Sequence, residues 1–447
     1  MVGQERTVAA KAIAFCSVSP RRRYWVYALL FLLATINYVD RVALSVAAKP
    51  ISAEFSISAV QMGYLFSSFL WLYLICLIPM GVIVDRFGAR AVNACGMALW
   101  SMATMGTGLA GSFISLVGSR IVMGVGEATT YPAGGRVIRE WAPKGERGFA
   151  TAVFNSGSYA GPALGAVVIA VLVDQLGWRG AFIVAGLAGF LWLAVWLILF
   201  RAPEQAKFLG STERMFIIGE RDASVDALAG RGRSASLLSL LRSRTMWGLA
   251  LTQGCAVYTQ YLFLTWLPNY LQATRDIPLI RTGAYTSLSY AIAVIFGILL
   301  GWISDQLLTV DGVRDGSRRT MVVCAMLGSA IILIIPFVDN IWLILALVTI
   351  SLTGISTACS LNIALVNDLL RSPQDAGKAM GILVTGGNIF GILAPIITGY
   401  VIANTGHYDG AFAIAGILLL IGATICLTMT RHPIMSQPAL SPQEDRF

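Results

Sequence analysis

Four charged side chains lie within otherwise apolar stretches of the N-terminal third of the chain: Asp40, Arg41, Arg120 and Glu127. A charge at the centre of a bilayer is costly, so such side chains usually face a cavity or a partner. An arginine offers a carboxylate bidentate, charge-assisted hydrogen bonds, and a buried carboxyl group can exchange a proton. These residue types suit the binding of an anion coupled to a proton. A buried structural ion network is the alternative.

Two of these charges are adjacent in "TINYVDRVAL", residues 35–44. Neighbouring side chains on a helix are rotated by about 100°, so Asp40 and Arg41 can point in different directions. Asn37 and Tyr38 lie one turn before Arg41 and can cluster with it. We expect one of the two charges to face a cavity and the other a neighbouring helix.

The other two charges belong to "SRIVMGVGEATTYPAGGR", residues 119–136. Arg120 and Glu127 are two turns apart on one helix face, about 10 Å along the axis. Gly124 and Gly126 lie between them and permit close helix packing.

Neither histidine nor cysteine offers an alternative chemistry. The two histidines, His407 and His432, lie near the end of the chain, so a proton carrier within the apolar stretches must be a carboxylate. The seven cysteines form no C-x-x-C pair and indicate neither a metal nor a disulfide framework. We expect no cofactor and no enzymatic activity; the coupling ion is a proton, with sodium left open.

The elements that carry these residues are long apolar blocks. The chain of 447 residues is 57% hydrophobic and 12% charged, with a mean hydropathy of +0.74. A spanning helix needs about 20 apolar residues. Twelve such blocks can be delimited, at residues 24–48, 60–83, 91–110, 112–134, 148–171, 179–201, 245–271, 281–305, 319–338, 341–366, 376–403 and 410–430. The sequence predicts an all-α membrane protein with twelve transmembrane helices.

The basic residues predict the orientation. With both termini in the cytoplasm, the inner segments hold 26 of the 32 lysines and arginines, which is a strong positive-inside bias. Arg21–Arg23 directly precede the first span and indicate a cytoplasmic flank instead of a cleavable signal peptide. We predict a multi-pass protein of the inner or plasma membrane, in contact with the lipid bilayer and without a nucleic-acid partner.

The two halves resemble each other. A shift of 230 residues places Gly157 on Gly387 and Gly161 on Gly391, and a shift of 220 residues places Asp85 on Asp305. Such internal similarity is typical of repeat-built transporters. We predict two pseudo-symmetric six-helix bundles. The predicted units are a tail (1–23), an N-terminal bundle (24–201), a cytoplasmic linker (202–244), a C-terminal bundle (245–430) and a tail (431–447).

The motif "GVIVDRFGAR", residues 81–90, joins the second and third spans. Gly81 is expected to permit close helix approach, Asp85 to pair with a base or cap a helix, and Gly88 to form a tight turn. Arg86 and Arg90 should stay at the inner headgroups. The second half contains a less complete copy of this motif, "GWISD", in which Asp305 corresponds to Asp85.

This motif resembles the loop signature of the major facilitator superfamily, and the resemblance covers about residues 22–430. In that family the loop acts as a cytoplasmic latch, which implies gating roles for the residues just named. "NYVDR", "WLYLICLIP" (71–79), "RIVMGVGEA" (120–128) and "FLTWLPNYL" (263–271) are similar to the anion:cation symporter branch, which includes sugar-acid and sialic-acid carriers. The resemblance implies protonation of Asp40 and Glu127, with Arg120 coupled to them. It also implies substrate contacts from Arg41, Tyr38 and Tyr73.

The chain differs from galactonate-like members of that branch at positions where those members would contact the hydroxyl groups of the substrate. Ser158 stands where they carry a glutamine, and a second glutamine near Leu77 is missing. Either the substrate is a less hydroxylated acid, or Asn269, Asn362 or Asn388 contacts its hydroxyls. Our site prediction adds Asn37, Ser158 and Asn388 to the substrate contacts. Trp266 near Asn269 is a candidate outer gate, with interfacial anchoring as the alternative.

The function that follows is proton-coupled import of a small organic anion by a monomeric carrier, with a sugar acid as the expected substrate. An anion exchanger is the first alternative. The absence of Lys and Arg between Trp247 and Leu271 argues against the phosphate-ester type of exchange. A transport-dead anion sensor is the second alternative.

Overall fold

A computed structural model describes residues 22–206, 208–229, 237–307, 316–370 and 376–434. This part of the chain is helical and contains no strand beyond an isolated bridge between Leu370 and Ile434. The helices before the linker are α1 (Tyr24–Val46), α2 (Ala48–Phe55), α3 (Ala59–Phe87), α4 (Ala89–Gly108), α5 (Phe113–Glu127), α6 (Thr130–Trp141) and α7 (Arg147–Leu199).

The helices from the linker onward are α8 (Ser211–Ala229), α9 (Leu237–Leu241), α10 (Arg244–Thr274), α11 (Leu279–Leu307), α12 (Ser317–Ser329), α13 (Ile341–Leu369), α14 (Ala376–Thr405) and α15 (Asp409–Met429). A 3₁₀ segment, Ala330–Phe337, continues α12, and a single 3₁₀ turn, Lys144–Glu146, precedes α7.

Eight helical segments of the described chain are long and apolar enough to cross a membrane. The longest, α7, has 53 residues and would be about 80 Å long if straight, far more than a bilayer core of about 30 Å requires. It breaks at Gly177, whose φ of 71° is a backbone conformation that glycine adopts without strain. The total of twelve spans and the cytoplasmic position of both termini stay predictions.

Close backbone contacts set the positions of α3, α4 and α5. A Cβ added at Gly124 would overlap the carbonyl oxygen of Phe69, and one at Gly126 would lie 2.7 Å from the Trp100 Cβ and the Gly96 carbonyl oxygen. The close packing expected of Gly124 and Gly126 is therefore confirmed. It brings α5 against both α3 and α4.

Small residues also bring the two halves of the chain together at the predicted outer ends of the helices. Gly63 of α3 lies directly against the Pro395 carbonyl oxygen of α14. A Cβ on Gly399 would lie 2.5 Å from the Ala59 carbonyl oxygen, and a Cβ on Gly283 of α11 would lie 2.6 Å from that of Ala166 in α7. Two helix pairs thus close this end by backbone contact.

The linker packs against the N-terminal half through a buried ion-pair cluster. Arg23 binds Glu146 at 2.6 Å and Glu213 of α8 at 2.8 Å. The hydrogen bonds that Arg23 donates to Glu146, and then to Glu213, raise the pKa of its guanidinium above the ordinary value, so it stays charged. Trp141 stacks on Phe208 with ring centroids 5.7 Å apart. The exact unit boundaries predicted above stay predictions.

Candidate functional site

The centre of the site is an ion pair between Arg41 of α1 and Glu127 of α5. Both side chains are almost completely buried, and the Arg41 Nη2 and Nε donate to Glu127 Oε2 at 2.8 and 3.0 Å. The other carboxylate oxygen, Oε1, has no hydrogen-bond partner among the described residues. The remaining Arg41 nitrogen, Nη1, donates to the Tyr261 hydroxyl of α10 at 3.2 Å.

Aromatic rings enclose the Arg41 guanidinium. Its central carbon lies 4.6 Å from the Tyr38 ring centroid, 4.8 Å from that of Phe69 and 5.2 Å from that of Tyr73. Cation–π attraction strengthens when the cation is desolvated, as it is here. The rings therefore hold the guanidinium in place while leaving its N–H groups able to bind an oxygen ligand.

Asp40 occupies a separate environment on the same helix. Its Oδ2 accepts a hydrogen bond of 2.6 Å from the indole Nε1 of Trp100 in α4, and its Oδ1 has no partner in the described chain. Arg120 donates to the backbone carbonyl of Asp40 at 3.4 Å, not to its carboxylate. The two arginines are separated by Phe69, whose ring centroid is 5.2 Å from the Arg120 guanidinium carbon.

This arrangement changes the sequence-based interpretation of the four charges. Arg41 and Asp40 do point apart, as expected from their rotation about the helix. The structure adds the partner of Glu127, which is Arg41 of α1, while Arg120, two turns earlier on α5, donates to the Asp40 backbone carbonyl. Arg120 has no carboxylate within ion-pair distance in the described structure, and the predicted proton-coupling roles of the three residues stay predictions.

The predicted substrate contacts divide into two groups. Asn37, Tyr38 and Tyr73 lie at the Arg41–Glu127 pair, and the buried Asn37 amide faces the Glu127 carboxylate. Ser158 and Asn388 instead hydrogen-bond their own helices, to the Asn155 carbonyl at 2.7 Å and the Val384 carbonyl at 3.0 Å. The structure does not bring these two to Arg41.

The other asparagine and aromatic candidates are also placed. The Asn362 amide donates to Gln253 Oε1 at 2.9 Å and to the Leu249 carbonyl at 3.0 Å, which joins α13 to α10. Trp266 is 2% exposed and packs edge-on against Phe66 of α3, with ring centroids 5.2 Å apart. Its burial between the halves argues against interfacial anchoring.

The motif at residues 81–90 is confirmed in part. Gly88 has a φ of 85° at the turn between α3 and α4, and the Asp85 carboxylate lies 3.5 Å from Arg139. The expectation for Gly81 is wrong, because a Cβ there would meet no atom within 4 Å and close helix approach does not require the glycine.

The basic residues of this motif lie at the predicted cytoplasmic ends. Arg90 donates to the Leu197 carbonyl at 2.8 Å, and Arg86 lies over the Phe87 ring at 5.4 Å. The side chain of Asp305 lies outside the described part of the structure. The gating roles of the motif residues stay predictions.

Sequence reasoning missed three side chains that complete the site: Phe69, Trp100 and Tyr261. Phe69 and Tyr261 stand in apolar helices with several aromatic residues, and Trp100 is the single aromatic residue of α4, so none has a spacing that marks it as part of a site. Their partners lie 28, 60 and 220 residues away for Phe69–Arg41, Trp100–Asp40 and Tyr261–Arg41, so only tertiary packing reveals them. Within the described residues, no cluster of three His, Cys, Asp or Glu is placed to hold a metal ion.

Comparison with known proteins agrees with this architecture. The Major Facilitator Superfamily profile matches residues 30–313 and 312–445. A probable galactarate/D-glucarate transporter of Bacillus subtilis is 32% identical over 419 residues, covering 90% of this chain and 91% of the relative. A D-galactonate transporter of Escherichia coli O6:H1 is 32% identical over 415 residues, covering 90% and 96%.

A solved structure shares the fold at low sequence identity. The inward-facing, occupied crystal structure of a bacterial homolog of the human lysosomal transporter Spinster matches with a TM-score of 0.72 and 18% identity, covering 92% of this chain and 98% of that one. The profile, the relatives and the fold agree with the resemblance drawn from the motifs. The chain therefore belongs to the major facilitator superfamily and is a multi-pass membrane transporter, not an enzyme.

Proposed function

We propose that this transporter imports a sugar acid, or a related small carboxylate, across the inner membrane in symport with protons. The two halves move by alternating access around a site at Arg41. Both relatives named above transport sugar acids according to their names, which supports the substrate class. The observation that carries the coupling is the buried ion pair between Arg41 and Glu127.

In this pair the Glu127 carboxylate and the substrate carboxylate compete for one guanidinium. A charged Glu127 occupies the Arg41 Nη2 and Nε donors that a substrate carboxylate needs for bidentate binding. Protonation of Glu127 removes its charge and frees Arg41 for the substrate. Loss of that proton on the inner side returns Glu127 to Arg41 and displaces the substrate.

Tyr261 links this exchange to the other half of the chain. Its hydroxyl accepts from Arg41 across the interface between α1 and α10, and its ring stacks on Phe69 at 6.5 Å. A substrate that binds Arg41 therefore alters a contact between halves. The substrate therefore binds the outward-open and inward-open states with different affinities. Such a difference is required for a ligand to shift the population from one state to the other.

The test is uptake into liposomes of purified protein, driven by an inward proton gradient. Galactarate, D-glucarate and D-galactonate are the first substrates to assay. Glu127→Gln should lose gradient-driven accumulation while it keeps exchange of substrate across the membrane, because the amide cannot release a proton. Asp40 is the second protonation site of the proposal, so Asp40→Asn combined with Glu127→Gln should abolish coupling altogether.

Matched controls separate coupling from folding. Glu54→Gln removes an exposed carboxylate of the same type outside the Arg41–Glu127 pair and should leave the gradient dependence intact. Replacing sodium with choline tests the sodium alternative. Wild-type coupling in the Asp40→Asn, Glu127→Gln protein would refute the proposal.

A further inference from the structure

Trp100 donates a hydrogen bond to the Asp40 carboxylate. Its indole ring is fully buried in α4, and its Nε1 lies 2.6 Å from Asp40 Oδ2. An indole N–H can only donate. It therefore favours the charged carboxylate, because it cannot accept a hydrogen bond from an Oδ2 that carries a proton.

Three other side chains face the Asp40 carboxyl group. The Thr104 hydroxyl of α4 lies close enough to interact with it, and Arg120 and Glu127 of α5 are the charged groups beside it. Arg120 reaches only the backbone carbonyl, at 3.4 Å, and Glu127 is engaged by Arg41. Tyr261 of α10 faces Arg41, and α7 presents Gly157, Gly161 and Gly165 to α1.

We infer that Trp100 is a positioning residue that holds Asp40 Oδ2 and reserves Oδ1 as the atom that binds and releases the proton. This inference rests on the proposed function in assigning Asp40 to proton coupling. Oδ1 is buried and makes no hydrogen bond of ordinary length and angle in the described chain, so a proton placed there breaks no such bond, and the nearby Thr104 hydroxyl can accept from it. The indole hydrogen bond stabilises the charged Asp40 carboxylate each time the proton leaves Oδ1.

The close approach of Gly126 to Trp100 shows how the residue is held. A Cβ at Gly126 would lie 2.7 Å from the Trp100 Cβ, so α5 packs directly against the backbone that carries the indole. The ring is therefore set by the same helix that carries Arg120 and Glu127. The donor to Asp40 and the other buried charges move as one packed unit.

The experiment is an infrared titration of the purified transporter in lipid, with the Asp40 carboxyl band identified by its loss in Asp40→Asn. Trp100→Phe keeps an aromatic ring and removes the N–H. The midpoint should move to higher pH by about one unit or more, because a charge-assisted hydrogen bond to the deprotonated form is lost. The alkaline limb of proton-driven uptake should move in the same direction.

Trp192 provides a matched control. It is also buried, and its Nε1 donates at 3.2 Å to the Leu29 carbonyl of α1, so Trp192→Phe removes an indole bond to the same helix without touching a carboxylate. Its infrared midpoint should equal that of the wild type. Equal midpoints for wild type and Trp100→Phe, or equal shifts in both tryptophan variants, would overturn the inference.

Two further measurements keep the outcome decisive. If Trp100→Phe does not fold, benzothienylalanine at position 100 supplies the shape of tryptophan without the N–H, with the same expected shift. If the wild type shows no gradient-driven uptake, the proposed function fails, but the infrared midpoints still decide the role of Trp100. If uptake is proton-driven and the midpoints agree, only the role of Trp100 fails.

Discussion

Replacing Gly63 with alanine should prevent the halves from closing at their predicted outer ends. The added Cβ would overlap the Pro395 carbonyl oxygen and lie 3.1 Å from the Ile396 Cα. Both atoms belong to the backbone of α14, so no side-chain rotation can relieve the overlap. The contact can be relieved by moving α3 away from α14, which is the movement that opens this end.

The size of the effect follows from the contact. Overpacking of this kind costs about 1–3 kcal/mol, and it is present only in the closed arrangement. The intrinsic helix preference of alanine over glycine applies to both arrangements and cancels. The ratio of closed to open molecules should therefore fall by roughly 5- to 150-fold.

Pulsed electron paramagnetic resonance can measure this shift. Spin labels replace Lys49 and Arg281, two exposed residues of predicted outer segments on opposite halves, after the seven native cysteines have been removed. Gly63→Ala should broaden the distance distribution toward longer distances and slow uptake, while binding is retained.

Gly381→Ala is the matched control, because a Cβ at this position of α14 meets nothing within 4 Å. It should reproduce the wild-type distances and uptake. If Gly63→Ala gives the same distances as Gly381→Ala, backbone contact at Gly63 does not limit closure and the reasoning is wrong.

Three further predictions concern single contacts. Tyr261→Phe removes the hydroxyl that Arg41 donates to at 3.2 Å. Since a hydrogen bond to a charged group is worth about 1.5–3 kcal/mol, the uptake rate should fall roughly 10- to 150-fold, and unchanged initial rates would contradict the assigned link. Hydrogen bonds from Arg179 and then Trp178 hold the pKa of Glu54, on the predicted outer surface, below its ordinary value. The stabilisation by Glu54 is therefore present above its ordinary pKa and is lost as the pH falls through the lowered value, so the difference in melting temperature between wild type and Glu54→Gln should shrink in acid. Gly126→Ala should destabilise the protein by about 1–3 kcal/mol in thermal unfolding, because the Cβ meets backbone; Gly118→Ala, where a Cβ meets nothing within 4 Å, should not, and equal melting temperatures would refute the packing argument.

Local residue properties predicted a large part of this molecule. Apolar runs indicate membrane helices because burial in lipid requires them, whatever their neighbours are. The conformation of Gly88 was likewise predictable, since a charged turn between two apolar runs needs a residue that tolerates a positive φ. The divergence of Asp40 and Arg41 followed from helix geometry alone.

Partners could not be predicted in the same way. Helix periodicity placed Arg120 and Glu127 on one face, but it did not show which neighbouring helix that face would meet at each level. The expectation that Gly81 served close packing failed for the same reason, since a glycine's neighbours belong to other helices.

The sequence by itself determined that this protein is a helical membrane transporter with buried acids and arginines, because these features depend on composition, spacing and resemblance. Only the tertiary structure decided that Arg41 binds Glu127 and Tyr261, and that Trp100 binds Asp40. These contacts join residues 60 to 220 positions apart, and their existence depends on how glycines let particular helix pairs approach. A charge buried in an apolar run signals that a partner exists, but helix packing selects which partner it is.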